Sequence, residues 1–149
     1  MAIADAIRDA VSALGLQGRV RQLNAQEAAQ AVAATEGRFV TRRNSRWWWE
    51  GLNDELRIVS HTPDADGYKL IERICPDEPA WLIASDDEDQ PWPVFIGTPK
   101  DLVRVIGECR HFEYSVASPR LEWLVMENHH NVMIAVGEPP AGRLAQNAG

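Results

Sequence analysis

Three short apolar runs, at residues 112–117, 121–127 and 132–136, follow one another with only Ser118 and Pro119 or residues 128–131 to turn the chain between them. Strand-like runs joined by turns this tight pair with their immediate neighbours, so this third of the chain is constrained to an antiparallel meander. Phe112, Tyr114 and Val116 alternate with Glu113, Ser115 and Ala117, the pattern of a strand with one dry and one wet face. Trp123, Leu124, Val125 and Met126 are apolar in both phases, which predicts that their strand lies inside the sheet.

The elements before the meander read as a mixture of helices and strands. Ile3, Ile7, Ala10, Val11 and Leu14 recur at helical spacing, and Gly15 stands where that helix stops. Asn24 followed by Glu27 is a capping box that opens an alanine-rich helix through Thr35, with Gly37 as its terminator. Residues 38–52 read as extended around Phe39, Val40 and three tryptophans, with a helix over 46–52 as the alternative. Residues 56–60 read as a strand, and Asp64, Asp66 and Gly67 supply turn chemistry. Tyr68, Ile71, Ile74 and Cys75 share a helical face that Pro76 ends. Residues 81–84 and 92–96 read as strands on either side of an acidic loop, with Pro91 and Pro93 marking the second as an edge. Thr98 as N-cap, Pro99 at the first helical position and Asp101 at the third open a helix whose Leu102, Val103, Ile106 and Cys109 face inward. The expected architecture is α+β: a single domain over residues 1–137, its helices packed on an antiparallel, mostly meandering sheet. Residues 138–149, with Pro139, Pro140 and Gly142 and no periodicity, read as a flexible tail.

A chain of 149 residues, 45% hydrophobic and 25% charged, matches one ordinary soluble domain. Asp5, Arg8 and Asp9 interrupt residues 2–16, which lack the unbroken apolar run of a signal peptide or membrane span, so the expected location is the cytoplasm. Cys75 and Cys109 stand on separate helices without Cys-x-x-Cys spacing and read as two buried thiols. The formal charge of −7 is unevenly spread: residues 1–63 hold eight arginines against seven acids, and residues 64–149 hold seven Lys or Arg against fifteen Asp or Glu. An acidic half repels a phosphate backbone, which disfavours nucleic acid as the ligand and makes a basic protein the natural electrostatic complement.

Chemistry concentrates where the last two strands meet. Leu121, Trp123, Val125 and Glu127 share one strand face, so a buried Trp123 places Glu127 at the rim of the core, where desolvation favours acid–base work. His129 and His130 lie about one turn further on, near enough to share a proton with it, and these three are the candidate catalytic residues. The competing reading is structural: Asn and His tolerate the left-handed backbone of a tight turn, so residues 128–131 also fit a plain hairpin. No metal site is expected, because adjacent histidines on an extended chain diverge and no His-x-His or His-x-x-x-His spacing exists.

Binding candidates lie elsewhere. Trp47, Trp48 and Trp49 cannot all be buried on a strand with one wet face, so at least one lines a groove or interface; Arg42, Arg43 and Arg46 beside them supply cations that stack on exposed indoles. Asp86, Asp87, Glu88 and Asp89 form the acidic loop, either a solvated turn or a contact for a basic partner. There is no Walker A loop, GxGxxG, GxSxG or HExxH motif, and no cofactor is expected.

Arg46-Trp47-Trp48-Trp49-Glu50, the Tyr68 to Cys75 helix before Trp81-Leu82-Ile83, Phe112-Glu113-Tyr114, and Glu122-Trp123-Leu124 leading into Glu127-Asn128-His129-His130 resemble a family of small uncharacterised bacterial proteins. The resemblance spans about residues 46–137 and implies no activity. The layout of helices leading into a tryptophan-rich antiparallel meander is similar to that of immunity proteins of bacterial toxin systems, notably the SUKH superfamily, a likeness of layout and acidity. Two functional readings follow: an acidic protein-binding module, in its narrower form an immunity-type toxin inhibitor, and a small enzyme or ligand-binding protein using Glu127 with His129 or His130.

Overall fold

The computed structural model describes residues 2–41, 47–85, 91–109 and 112–147. The acidic run Asp86, Asp87, Glu88 and Asp89, and with it Arg42, Arg43 and Arg46, lies outside the described residues.

The first helix, α1 (Ile3–Ala13), buries Ile3, Ile7, Ala10 and Val11, the stripe that its spacing requires, and Gly15 takes the left-handed conformation (φ 70°) that ends it. A two-residue strand, β1 (Arg21–Gln22), follows. In α2 (Ala25–Phe39) the capping box forms in full: the Asn24 side chain accepts from the Glu27 N–H, and the Glu27 carboxylate accepts from the Asn24 N–H. Gly37 does not stop this helix, which runs on to Phe39; burial of Phe39 against the sheet outweighs the cost of one helical glycine, about 1 kcal/mol. Among the described residues of the segment expected to be extended, Val40 and Leu52 form an isolated bridge and Trp48–Glu50 forms a single 3-10 turn.

Next come β2 (Ile58–Ser60), a 3-10 turn at Gly67–Leu70 running into the one-turn α3 (Ile71–Ile74), β3 (Ala80–Ile83) and β4 (Val94–Gly97). The helix α4 (Pro99–Glu108) starts where Thr98 and Pro99 predict. Its inward face holds Leu102, Val105 and Ile106, while Val103 is half-buried. The meander is β5 (Tyr114–Ala117), β6 (Leu124–Glu127) and β7 (Met133–Val136). The chain then forms α5 (Pro140–Asn147), with Ala141 and Leu144 wholly buried, where the sequence reading expected a frayed tail.

These strands make one seven-stranded sheet in the order β1-β4-β3-β5-β6-β7-β2, every pairing antiparallel. The fold is α+β. β6 lies inside the sheet as its two apolar faces require, but β4 is not an edge: its prolines precede the paired residues, and β1 covers its outer side. Two apolar layers sandwich the sheet. On one face α1, α3, α4 and α5 pack against Leu82, Phe95, Tyr114, Val116, Trp123, Val125 and Ala135. On the other, α2 and Trp48 pack against Ile83, Val94, Ala117, Leu124, Met126, Ile134 and Val136. This second layer corrects the one-wet-face reading of β5, because Ser115 and Ala117 are as buried as their neighbours. Among the described residues no helix is long and apolar enough to cross a membrane.

Candidate functional site

Trp123 is 1% exposed, in the helix-rich layer. Strand alternation carries its orientation through Val125 to Glu127, which is 4% exposed and lies on the same face. Leu121 does not share that face; it sits in a turn at φ 60° and packs into the other layer.

Antiparallel register sets Tyr114 directly across from Glu127. The Tyr114 hydroxyl donates to Met133 Sδ at 4.0 Å, with the Glu127 carboxylate facing it across the strand pair. Burial first, and then the charge and hydrogen bond of Glu127, hold the Tyr114 hydroxyl well above its ordinary pKa. Glu127 and Tyr114 line a cavity of about 140 Å³ whose other walls include Tyr68, Phe112, Gly107 and Cys109. Of its walls, Glu127, Tyr114 and Phe112 are buried, Tyr68 is half-buried and Gly107 is exposed. Ordinary small-molecule sites run to roughly 300–1,000 Å³, so this one takes a small group rather than a whole metabolite.

The two histidines belong to a different surface. Residues 128–131 form the hairpin turn of the structural reading. The Asn131 N–H donates to the Asn128 carbonyl, the Asn128 side-chain oxygen accepts from the His130 and Val132 N–H groups, and Asn131 adopts φ 60°. From this turn His129 leans on Glu113, whose Oε1 lies 2.7 Å from both the backbone nitrogen and the ring Nδ1 of His129. Glu113 precedes Tyr114 and therefore points to the opposite face from Glu127. The carboxylate that meets His129 is thus Glu113, a residue that the sequence reading placed only on a wet face.

Trp47 and Trp49 complete this second cluster. Their rings stack at 5.6 Å between centroids, while Trp48 turns inward between them and packs edge-on against Trp92 at 5.3 Å. His129 lies 5.2 Å from Trp47 and 5.9 Å from Trp49, and His130 lies 4.0 Å from His129 and 6.1 Å from Trp49. The result is an aromatic ledge of two half-buried indoles and two exposed imidazoles, underlain by Glu113, whose side chain is 12% exposed. Segments some 80 residues apart build it, so no local motif could announce it.

One further buried carboxylate is structural. Asp101, 3% exposed in the first turn of α4, accepts from Arg19 Nη2 at 2.6 Å and Nε at 3.1 Å, a two-pronged ion pair. Cys75 and Cys109 form no disulfide with each other, and Cys75 is buried while Cys109 is half-buried. Among the described residues no group of three His, Cys, Asp or Glu side chains gathers in a way that could hold a metal ion.

No curated protein and no solved structure matches the chain. A family match does, and it runs over residues 1–148, so it also covers the first 45 residues, which lie outside the motif resemblance. Both the Glu127 cavity and the aromatic ledge fall within it, and the chain belongs to the family of unknown function DUF6756.

Proposed function

We propose that this protein is a protein-binding module whose contact surface is the aromatic ledge of Trp47, Trp49, His129 and His130. The observation that carries this reading is the stacked, half-buried tryptophan pair braced by two exposed imidazoles. Binding energy at interfaces concentrates in rigid aromatic anchors of this kind, which bring large contact area at low entropic cost. The partner is a basic protein: residues 64–149 carry fifteen acids against seven bases, a field that accelerates encounter with a positive surface and repels phosphate backbones. The acidic loop Asp86, Asp87, Glu88 and Asp89 adds four of those charges. In its narrower form the reading is that of an immunity-type inhibitor, in which docking of a basic toxin is itself the function.

The test is affinity capture from the native host at low and high salt with the wild-type chain and a Trp47→Ala/Trp49→Ala variant. The expected result is a basic protein retained by the wild type, released as salt rises and lost by the variant, since an aromatic anchor contributes roughly 2 kcal/mol or more. A partner held equally by both chains removes the ledge from the interface, and one indifferent to salt and to charge reversal at Asp86, Asp87, Glu88 and Asp89 removes the electrostatic steering.

A further inference from the structure

An open sheet has two edges, and this one guards them unequally. At one edge β1 is two residues long and both side chains are engaged: Arg21 pairs with Glu27 at 3.7 Å, and Gln22 accepts from Arg8 at 2.8 Å. Short, charged edges discourage further strand pairing. At the other edge β2 carries no proline, lysine or carboxylate, and its Ile58, 37% exposed, is the exposed large hydrophobic side chain among the described residues.

Register decides which backbone groups the β2 edge offers. The Gly137 N–H donates to the Arg57 carbonyl and the His61 N–H donates to the Met133 carbonyl, so by the two-residue period of an antiparallel ladder Arg57, Val59 and His61 face β7. Ile58 and Ser60, both exposed, therefore turn their N–H and C=O groups away from the sheet. Their side chains share the face of Val136 and Ile134, in the layer of α2, while Val59 packs into the helix-rich layer, where α5 lies against β2.

The occupant that fits this edge is a second copy of the chain. An antiparallel strand related by a two-fold axis at Val59 sets Ile58 opposite Ser60 of the other copy, and Ser60 opposite its Ile58. Each outward N–H then meets an outward C=O, and the two Ile58 side chains approach diagonally on one face. Charge selects the same contact. Two chains of formal charge −7 repel through their acidic surfaces, but residues 56–63 hold no Asp or Glu, and the Arg57 charge is matched by Glu138 at 3.0 Å. A strongly basic or acidic strand finds no unmatched charge here. The guarded β1 edge stops growth at two chains, since a two-fold contact uses the same patch on both.

We propose that the exposed edge of β2 pairs with the same edge of a second copy, joining two sheets across a two-fold axis at Val59 into a closed homodimer. The contact uses no residue of the aromatic ledge and stands whether or not the ledge binds a protein.

The experiment is sedimentation velocity of the full chain over a wide concentration range at low and high salt, paired with amide hydrogen exchange at Ile58 and Ser60. The expected result is a mass that moves from one chain to two, with both amides gaining protection as the dimer fills. Higher salt is expected to leave the dimer as tight or tighter, because it screens repulsion between like-charged copies; the basic partner of the ledge is instead released by salt. Ser60→Pro removes an outward N–H that the sheet does not use, and Ile58→Lys places a charge on the exposed side chain; each is expected to weaken dimerisation by roughly tenfold or more. A chain that stays single at every concentration overturns the proposal. So does a dimer that leaves both amides unprotected, a dimer unmoved by both variants, or protection of the two amides that appears only with a foreign strand. If Ser60→Pro fails to fold by circular dichroism, Ile58→Lys and the exchange of the two wild-type amides decide.

Discussion

Two buried carboxylates show how the same residue type is put to different use by its surroundings. Asp101 is met by a guanidinium in a two-pronged pair, an arrangement that satisfies it and ties the loop after α1 to the start of α4. Arg19 is more than half exposed, so solvent screens the attraction, yet removing it leaves a buried charge behind. Arg19→Ala is therefore expected to cost about 1–2 kcal/mol in urea denaturation, and to cost much less in an Asp101→Asn background. Equal losses in the two backgrounds would show the pair to be uncoupled. Glu127 instead faces a cavity and a tyrosine hydroxyl. Its burial was legible from Trp123 by counting in twos, whereas the identity of its neighbour was not. Tyr114 stands opposite because of the β5–β6 register, and a slip of one residue would have put Ser115 in that place.

Among the elements, local signals worked where a short segment contains its own stabilising partner. The capping box of α2, the left-handed Gly15 after α1 and the proline at the start of α4 each resolve within a few residues. The β6–β7 turn belongs to the same class, since Asn131 occupies the left-handed region that Asn tolerates and β-branched residues do not. Asn131→Gly should leave thermal stability within a few tenths of a kcal/mol, while Asn131→Val should cost about 1–2 kcal/mol, a comparison that scanning calorimetry resolves. An unchanged midpoint for Asn131→Val would mean that the turn relaxes freely. The helix α5 was missed because only Ala141 and Leu144 on it are wholly buried hydrophobics, too few to make a visible period. Pro140 counted among the residues of an aperiodic tail, although proline at a first helical position starts helices, and Glu138 accepts from the Gly142 N–H to help hold that start.

For the molecule as a whole, acid–base behaviour is governed by what the two layers bury. Burial raises the Cys75 thiol far above its usual range, with Arg143 partly offsetting it, and burial together with Glu127 raises the Tyr114 hydroxyl. Both groups keep their protons in the folded protein at pH values where the unfolded chain loses them. Their contribution is thus fully present below the reference pKa values of 9.0 and 10.0 and is lost as pH rises above them. The slope is about 1.4 kcal/mol per pH unit for each group. Urea denaturation between neutral and strongly alkaline pH should show this decline, and Cys75→Ala should remove the part that begins nearest pH 9. A stability unchanged across that range would contradict the sequestration of both side chains. The chain by itself determined α1, the start of α2, α4, the three-strand meander, the interior place of β6 and the direction of Glu127, because hydrophobic periodicity and turn chemistry act over a few neighbouring residues. Tertiary structure alone decided that β1 and β2 close the two ends of the sheet, that a second layer buries the other face of β5, and that Glu113 rather than Glu127 meets His129. Those outcomes depend on pairings between segments tens of residues apart, and on an alternation that sends adjacent carboxylates to opposite sides of one sheet.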